Sequence, residues 1–211
     1  MKPGVLLLVL LLIVACSGCR AASGGSVPPL VQPGAPGEPS RTISAEQAVL
    51  LPAARPTEAD VRFVQGMIAH HAQAIEMTDL AGARSGHDAV KLLARRIALS
   101  QADEIEMMRE WLSTRGEEAP GAHAHHEVTM PGMLTAEDMN RLGGATGHAF
   151  DRLFLELMIK HHAGALTMVG NLFAAPGAAQ DGELFAFASD VDTDQRAEIA
   201  RLAMLLKEIS R

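Results

Sequence analysis

The sequence is poor in the residue types that build sheets, disulfides and nucleic-acid surfaces. It has no tyrosine, and aromatic residues make up only 3% of the chain. Its two cysteines, Cys16 and Cys19, both lie near the N-terminus, so the rest of the chain has no thiol for a disulfide or a thiolate metal site. The net charge is −7 and no run of Lys or Arg is present, which excludes the basic surface of a nucleic-acid-binding protein.

The abundant residue types favour helices. Hydrophobic residues make up 48% of the 211 residues and include 11 methionines, while charged residues contribute 20%, a globular composition. Alanine, leucine and methionine are good helix formers, whereas the aromatic and β-branched residues that favour strands are scarce. The composition therefore predicts an all-α protein of one ordinary domain or two small ones.

The N-terminal residues are typical of an exported protein. Lys2 precedes an apolar run over residues 5–14, which is too short to span a bilayer but fits the hydrophobic region of a signal peptide. The small residues around Cys16 resemble the lipobox of bacterial lipoproteins, and this resemblance implies lipidation of Cys16. The prediction is a signal peptide over residues 1–16 and a lipid anchor in the cell envelope. Ordinary secretion, or a redox pair with Cys19, is the alternative.

Residues 17–56 are rich in glycine, proline and serine. Such a composition buries too little apolar surface to offset the entropy lost on ordering. We therefore predict a disordered tether that holds the folded domain away from the membrane.

The rest of the chain contains an internal repeat. Residues 63–77 align without a gap with residues 154–168, and residues 101–105 align with residues 195–199. Two copies of a helix pair predict an antiparallel four-helix bundle. The predicted bundle covers residues 57–211, with repeats at 57–116 and 147–211 and a His- and Met-rich loop at 117–146.

Cap signals place the helices within the repeats. Thr57 with Asp60, and Thr135 with Asp138, have the spacing of a capping box, which predicts a helix start at each threonine. The helix that begins at Thr135 is short and lies inside the loop. The four long helices are predicted over residues 57–84, 88–115, 147–174 and 183–210.

Each repeat carries two adjacent histidines, His70-His71 in the first and His161-His162 in the second. On a helical wheel of ~100° per residue, both histidines of each dyad lie on or beside the apolar face. A buried, unsatisfied polar group costs ~1–3 kcal/mol, so four buried imidazoles need partners. A metal ion is a suitable partner, because neutral imidazole binds copper, zinc, nickel or iron.

Methionines flank both dyads on the same apolar stripe, at Met67 and Met77 in the first repeat and at Met158 and Met168 in the second. Thioether is a soft ligand that favours Cu(I) over hard cations. The alternative is that the histidines are structural and the methionines only fill the core.

Accessory groups lie on the second helix of each pair and in the loop. Glu104 and Glu198 can each accept a hydrogen bond from a metal-binding histidine, or can pair with an arginine. The loop contains His123, His125, His126, Met130 and Met133. These residues either capture a metal ion or are simply solvated.

Three segments together resemble the domain of unknown function 305 family, namely residues 63–77, 130–133 and 150–165. That family resembles ferritin-like bundles and includes periplasmic copper-binding proteins implicated in copper resistance. The resemblance covers residues 58–209 and implies metal contact by the four dyad histidines, with the four flanking methionines as thioether candidates. The family often has an acidic residue before the last methionine; Glu76 fits, but Thr167 replaces it in the second repeat.

The sequence therefore predicts a copper-binding lipoprotein outside the cytoplasm, with Cu(I) favoured, acting in storage, buffering or resistance and not as an enzyme. Its expected partners are the metal ion and, through the lipid anchor, the membrane. A ferritin-like metal-dependent oxidase and an interaction module with structural histidines are the alternatives. A di-iron oxidase needs Glu-x-x-His motifs, and none occurs in this sequence. A copper oxidase remains an alternative function.

Overall fold

The computed structural model describes residues 30–32, 39–49, 55–121 and 130–211. The chain forms two compact units, Met1–Pro52 and Ala53–Arg211, which we describe separately. The predicted signal peptide with Cys16, most of the tether, and the loop histidines lie outside the described residues.

The first unit contains a short antiparallel strand pair, β1 (Leu30–Gln32) and β2 (Arg41–Ile43), followed by helix α1 (Ala45–Val49). The prediction that the tether has no regular structure is therefore wrong for these residues. β-branched side chains at Val31, Thr42 and Ile43 favour extended backbone locally, although the average composition does not. Val31 is 58% exposed, so this pairing adds backbone hydrogen bonds and little core.

All the regular elements among the described residues of the second unit are helices, which confirms the all-α prediction. None of the described helices is long and apolar enough to cross a membrane. The first predicted helix is divided by a turn at Leu80, whose N–H bonds to the carbonyl of Thr78, and its second part ends at Arg84 as predicted. The helices are α2 (Glu58–Asp79), α3 (Ala81–Arg84), α4 (Asp88–Thr114), α5 (Ala136–Gly144), α6 (Gly147–Ala174) and α7 (Gly182–Ile209).

Both predicted capping boxes are present. The Thr57 hydroxyl accepts from the backbone N–H of Asp60 at 3.2 Å, and the Asp60 carboxylate accepts from the N–H of Thr57 at 2.7 Å. Thr135 and Asp138 make the same reciprocal pair at the start of α5. Each box satisfies N–H groups that the first helical turn leaves without partners, so both helix starts agree with the sequence.

The long helices pack as two pairs, α2 with α4 and α6 with α7, and α2 also packs against α6. Two apolar clusters form the core. Met67 and Met168 belong to one cluster, and Met77 and Met158 belong to the other. Along α2 and α6, the dyads fall between the segments that build these two clusters, so the fold places the histidines between two apolar layers.

Two buried aspartates tie the repeats together. The Asp60 carboxylate accepts from the backbone N–H of Ala179 at 2.7 Å, in the turn between α6 and α7. In the equivalent position of the second repeat, the Asp151 carboxylate accepts from the N–H of Gly86 at 3.2 Å, in the turn before α4. Each repeat therefore caps the turn of the other, which gives the unit an approximate two-fold relation.

Candidate metal centre

All four dyad imidazoles are buried where α2 crosses α6. Each is at most 1% exposed. The rings of His70 and His161 meet between the two helices, with centroids 3.8 Å apart and planes tilted by 38°. Adjacent residues on a helix point in different directions, so His71 and His162 instead turn outward from this central pair.

The outer histidines are each held by a glutamate of the neighbouring helix. His71 Nε2 lies 2.6 Å from Glu104 Oε2, and His162 Nε2 lies 2.6 Å from Glu198 Oε2. The distance between ring centroids within a dyad is 6.4 Å in both repeats. The duplicated sequence has thus produced duplicated geometry. Of the two alternatives that the sequence left open for Glu104 and Glu198, the described residues show the contact with a histidine.

The acceptors determine which ring nitrogens carry protons. A carboxylate can only accept, so the Nε2 of His71 and of His162 must be the N–H that donates to it. His70 Nε2 lies 3.1 Å from the carbonyl oxygen of Pro131 and is a donor for the same reason. Nδ1 of these three rings is buried without a partner. Neither nitrogen of His161 has a partner at normal hydrogen-bond geometry, although a weak contact with the His70 backbone opposes the lowering of its pKa.

The central pair is neutral at physiological pH. Burial lowers the pKa of His70 to about 3, with a further contribution from the neighbouring His71, although the Pro131 carbonyl opposes the shift. Burial also lowers the pKa of His161 well below its usual value, and His70 adds to that effect. A neutral imidazole keeps a lone pair on one nitrogen, which is the form that binds metals.

A short piece of the loop, residues 130–134, bridges α2 and α6 beside the central pair; we call it the bridging segment. Pro131 supplies the carbonyl that holds His70. The Gln73 side chain bonds both the N–H and the carbonyl of Leu134, at 2.8 and 3.0 Å. Gly132 has φ +79°, and a Cβ on Gly164 would lie 2.0 Å from the Pro131 oxygen, so only glycine allows this close approach.

The four predicted methionines are all buried, none more than 8% exposed. They are divided between the two apolar layers on either side of the dyads. Met130 adds a further thioether. A Cβ on Gly66 would meet the Sδ of Met130 at 3.2 Å and the Cε of Met168 at 3.3 Å, so these two side chains converge one turn before His70. Met133 is also buried.

The side chains at the centre that could bind a metal are imidazoles and thioethers. Among the described residues, no three His, Cys, Asp or Glu side chains are arranged to hold one ion together. A metal bound here must therefore use the paired imidazoles with few other ligands, or with thioethers. Such a set suits a soft ion and not a hard cation such as magnesium or calcium.

Two glutamines and one backbone carbonyl at the site were not predicted from the sequence. Gln101 and Gln195 are 1% and 2% exposed, and the side-chain oxygen of each is buried without a partner. They lie three residues before Glu104 and Glu198, and the aligned repeat itself could have identified them because it begins with these glutamines. No signal in the sequence points to the Pro131 carbonyl as a partner of His70.

Fold and site together define a class of all-α proteins with a buried imidazole centre between two repeated helix pairs. The chain belongs to the family described as domain of unknown function (DUF305), whose profile matches residues 60–206. No curated protein sequence matches the chain.

Solved structures show the same fold. A DUF305 fragment from Deinococcus radiodurans is 30% identical, covers 74% of this chain and 99% of its own, and has a TM-score of 0.65. A candidate secreted DUF305 protein from Streptomyces coelicolor is also 30% identical, with 72% and 94% coverage and a TM-score of 0.64. CopM in its Cu(I)-bound form is 29% identical, with 71% and 96% coverage and a TM-score of 0.56.

Proposed function

We propose that this protein binds copper, as Cu(I), at the dyads, and that it stores or buffers the ion outside the cytoplasm. The observation that carries the proposal is the pair of neutral, buried imidazoles of His70 and His161, whose rings lie 3.8 Å apart with unpartnered nitrogens. Buried nitrogens without partners are destabilising, and a bound ion would supply the missing partner.

The ligands that the proposal assigns are imidazoles first and thioethers second. His70 and His161 would hold the ion, with His71 and His162 beside them and the flanking methionines completing a soft donor set. Each imidazole would donate its lone pair to the copper ion and so form a coordination bond with it. The Pro131 carbonyl keeps the His70 proton on Nε2, and the two glutamates do the same for the outer rings.

The comparison with CopM supports copper in particular. CopM has been solved in Cu(I)-, Cu(II)- and Ag-bound forms at 26–29% identity to this chain. Silver and Cu(I) are both soft ions, in agreement with an imidazole and thioether set. We propose binding and not catalysis.

Metal analysis of the purified chain tests this proposal. The chain from residue 17 onward is loaded with Cu(I) under anaerobic conditions, desalted and analysed for copper, with Mg(II) and Ca(II) as hard-cation controls. We expect copper to be retained at a fixed ratio to protein and the hard cations to be lost. A protein that retains no copper after desalting would overturn the proposal.

Replacing Glu104 and Glu198 with glutamine should weaken copper binding by about tenfold to a hundredfold without changing the number of bound ions. An amide is a weaker acceptor than a carboxylate and fixes the proton of the outer histidines less firmly. Competition with a Cu(I) chelator measures the affinity. Glu106→Gln is the matched control, because Glu106 is exposed on the same helix and pairs only with Arg109. Equal affinities in all three proteins would contradict the role of the glutamates.

Lipid anchoring is the second part of the proposal. Cys16→Ser should release the protein from the membrane fraction of cells that express it, because the residue to be lipidated is gone. Detergent partitioning of the parent and the variant measures this. If the variant partitions into detergent as the parent does, Cys16 is not the anchor.

A further inference from the structure

A groove of about 450 Å³ runs between α4 and α7 and reaches α2 at its base. Its floor is apolar, and the five residues that form it are at most 3% exposed: Val64, Met108, Trp111, Leu184 and Val191. Two larger apolar side chains lie nearer the solvent, Met107 at 53% exposed and Phe187 half-buried. Among the described residues, the apolar surface left uncovered in the groove therefore comes mainly from Met107 and Phe187, which lie above a closely packed floor.

The rim of this groove is acidic. Its carboxylates belong to both helices, and no Lys, Arg or His is among the described residues that line it. At one end of the groove, Arg115 pairs with Glu183 at 3.0 Å and its guanidinium lies 4.3 Å over the Trp111 ring. The other rim carboxylates make no ion pair with a described residue. The rim consists of Asp103, Glu110, Glu183, Asp190 and Asp194.

These carboxylates are close enough to disturb one another. The pKa of Asp194 is raised, first by partial burial and then by the negative charges of Glu104, Glu198 and Asp190, which outweigh the opposing charge of Arg201. Like charges held together on a surface are destabilising, and an approaching positive charge relieves that repulsion. The groove therefore favours a cationic occupant.

We propose that this groove binds a basic, amphipathic segment of a partner protein, with apolar side chains on the floor and Lys or Arg against the rim. A single metal ion fits the site less well, because no three acidic groups in the described part of the chain are arranged to hold one. Nucleic acid and anionic membranes carry the wrong charge. An apolar floor with a charged rim is the usual anatomy of a protein interface.

The position of the groove relates it to the metal centre. Glu104 lines the groove and also accepts the hydrogen bond from buried His71. A segment bound here would therefore lie one side chain away from the imidazoles, where a copper-exchange partner would need to dock. Only this exchange role depends on the proposed copper function; the docking itself does not.

The single tryptophan of the chain provides the measurement, because Trp111 lies on the groove floor. The metal-free protein is titrated with a short helical peptide of leucine and lysine, and with a peptide in which glutamate replaces lysine. We expect saturable Trp111 fluorescence changes with the lysine peptide, weaker binding in high salt, and none with the glutamate peptide.

Two triple variants with the same change of net charge locate the binding. Asp103→Asn, Asp190→Asn and Asp194→Asn together should weaken the lysine peptide by about tenfold. The control combines Asp79→Asn, Glu137→Gln and Glu208→Gln, which are exposed carboxylates away from the groove, and should change affinity by less than about twofold.

Equal weakening in the two triple variants would overturn the proposal, since binding would then follow net charge alone. Absence of saturable binding, or equal binding of the glutamate peptide, would overturn it as well. Because the titration uses metal-free protein, it tests peptide binding in the groove even if the chain retains no copper.

Discussion

Replacing His70 and His161 together with leucine is expected to abolish the rise in melting temperature that Cu(I) causes. A ligand that binds only the folded state at roughly a hundredfold excess over its Kd stabilises it by ~2.7 kcal/mol. For a domain of this size that corresponds to roughly 5–10 °C. Thermal unfolding with and without Cu(I) measures the difference, and we expect the double variant to lose it completely.

The metal-free double variant should stay within about 1 kcal/mol of the parent. Leucine removes the unpartnered nitrogens of both rings, which is favourable, but leaves the Pro131 carbonyl without its donor, which is not. His148→Leu is the control outside the centre, since His148 is exposed and its ring bonds to the carbonyl of Ile209, and it should keep the copper-dependent rise. A double variant that loses its metal-free fold, yet still binds copper, would identify the rings as structural.

Gly164→Ala should destabilise the protein by about 1–3 kcal/mol, although alanine normally favours a helix. The added Cβ would lie 2.0 Å from the Pro131 oxygen and 2.5 Å from the Cα of Gly132. Both are backbone atoms, so the bridging segment must move away from α6 and weaken the hydrogen bond to His70. Urea unfolding measures the loss of stability, and a chelator competition measures the accompanying loss of copper affinity.

Gly170→Ala is the matched control on the same helix. A Cβ there meets nothing within 4 Å, and the position is exposed. The helix propensity of alanine should therefore act alone and stabilise the protein by up to ~1 kcal/mol. If the two alanine variants have the same urea midpoint, the bridging segment is not held against Gly164 as the structure has it.

The sequence predicted the elements whose causes are local. Helical periodicity identified the long helices, and side chains three residues apart identified the caps at Thr57 and Thr135, because both signals act within a few residues. The repeat placed the dyads on the apolar faces of two equivalent helices. It left two alternatives for Glu104 and Glu198, a hydrogen bond from a histidine or a pair with an arginine, and only the structure shows the contacts with His71 and His162.

The short strands of the first unit were not predicted by the composition of that segment. The overall share of glycine, proline and serine predicted no regular structure over residues 17–56. Strand pairing depends instead on a few β-branched residues brought opposite each other, as Val31 is to Thr42. An average over the segment does not contain that information.

The sequence by itself determined that the protein is all-α, duplicated and equipped with four histidines on buried helix faces. Only the tertiary structure decided that the rings of His70 and His161 lie 3.8 Å apart, and that the bridging segment breaks the symmetry of the repeat. At equivalent positions, Gln73 holds that segment by hydrogen bonds, whereas Gly164 makes room for it. These contacts join residues far apart in the chain, and their geometry depends on how the helices cross, which no local pattern encodes.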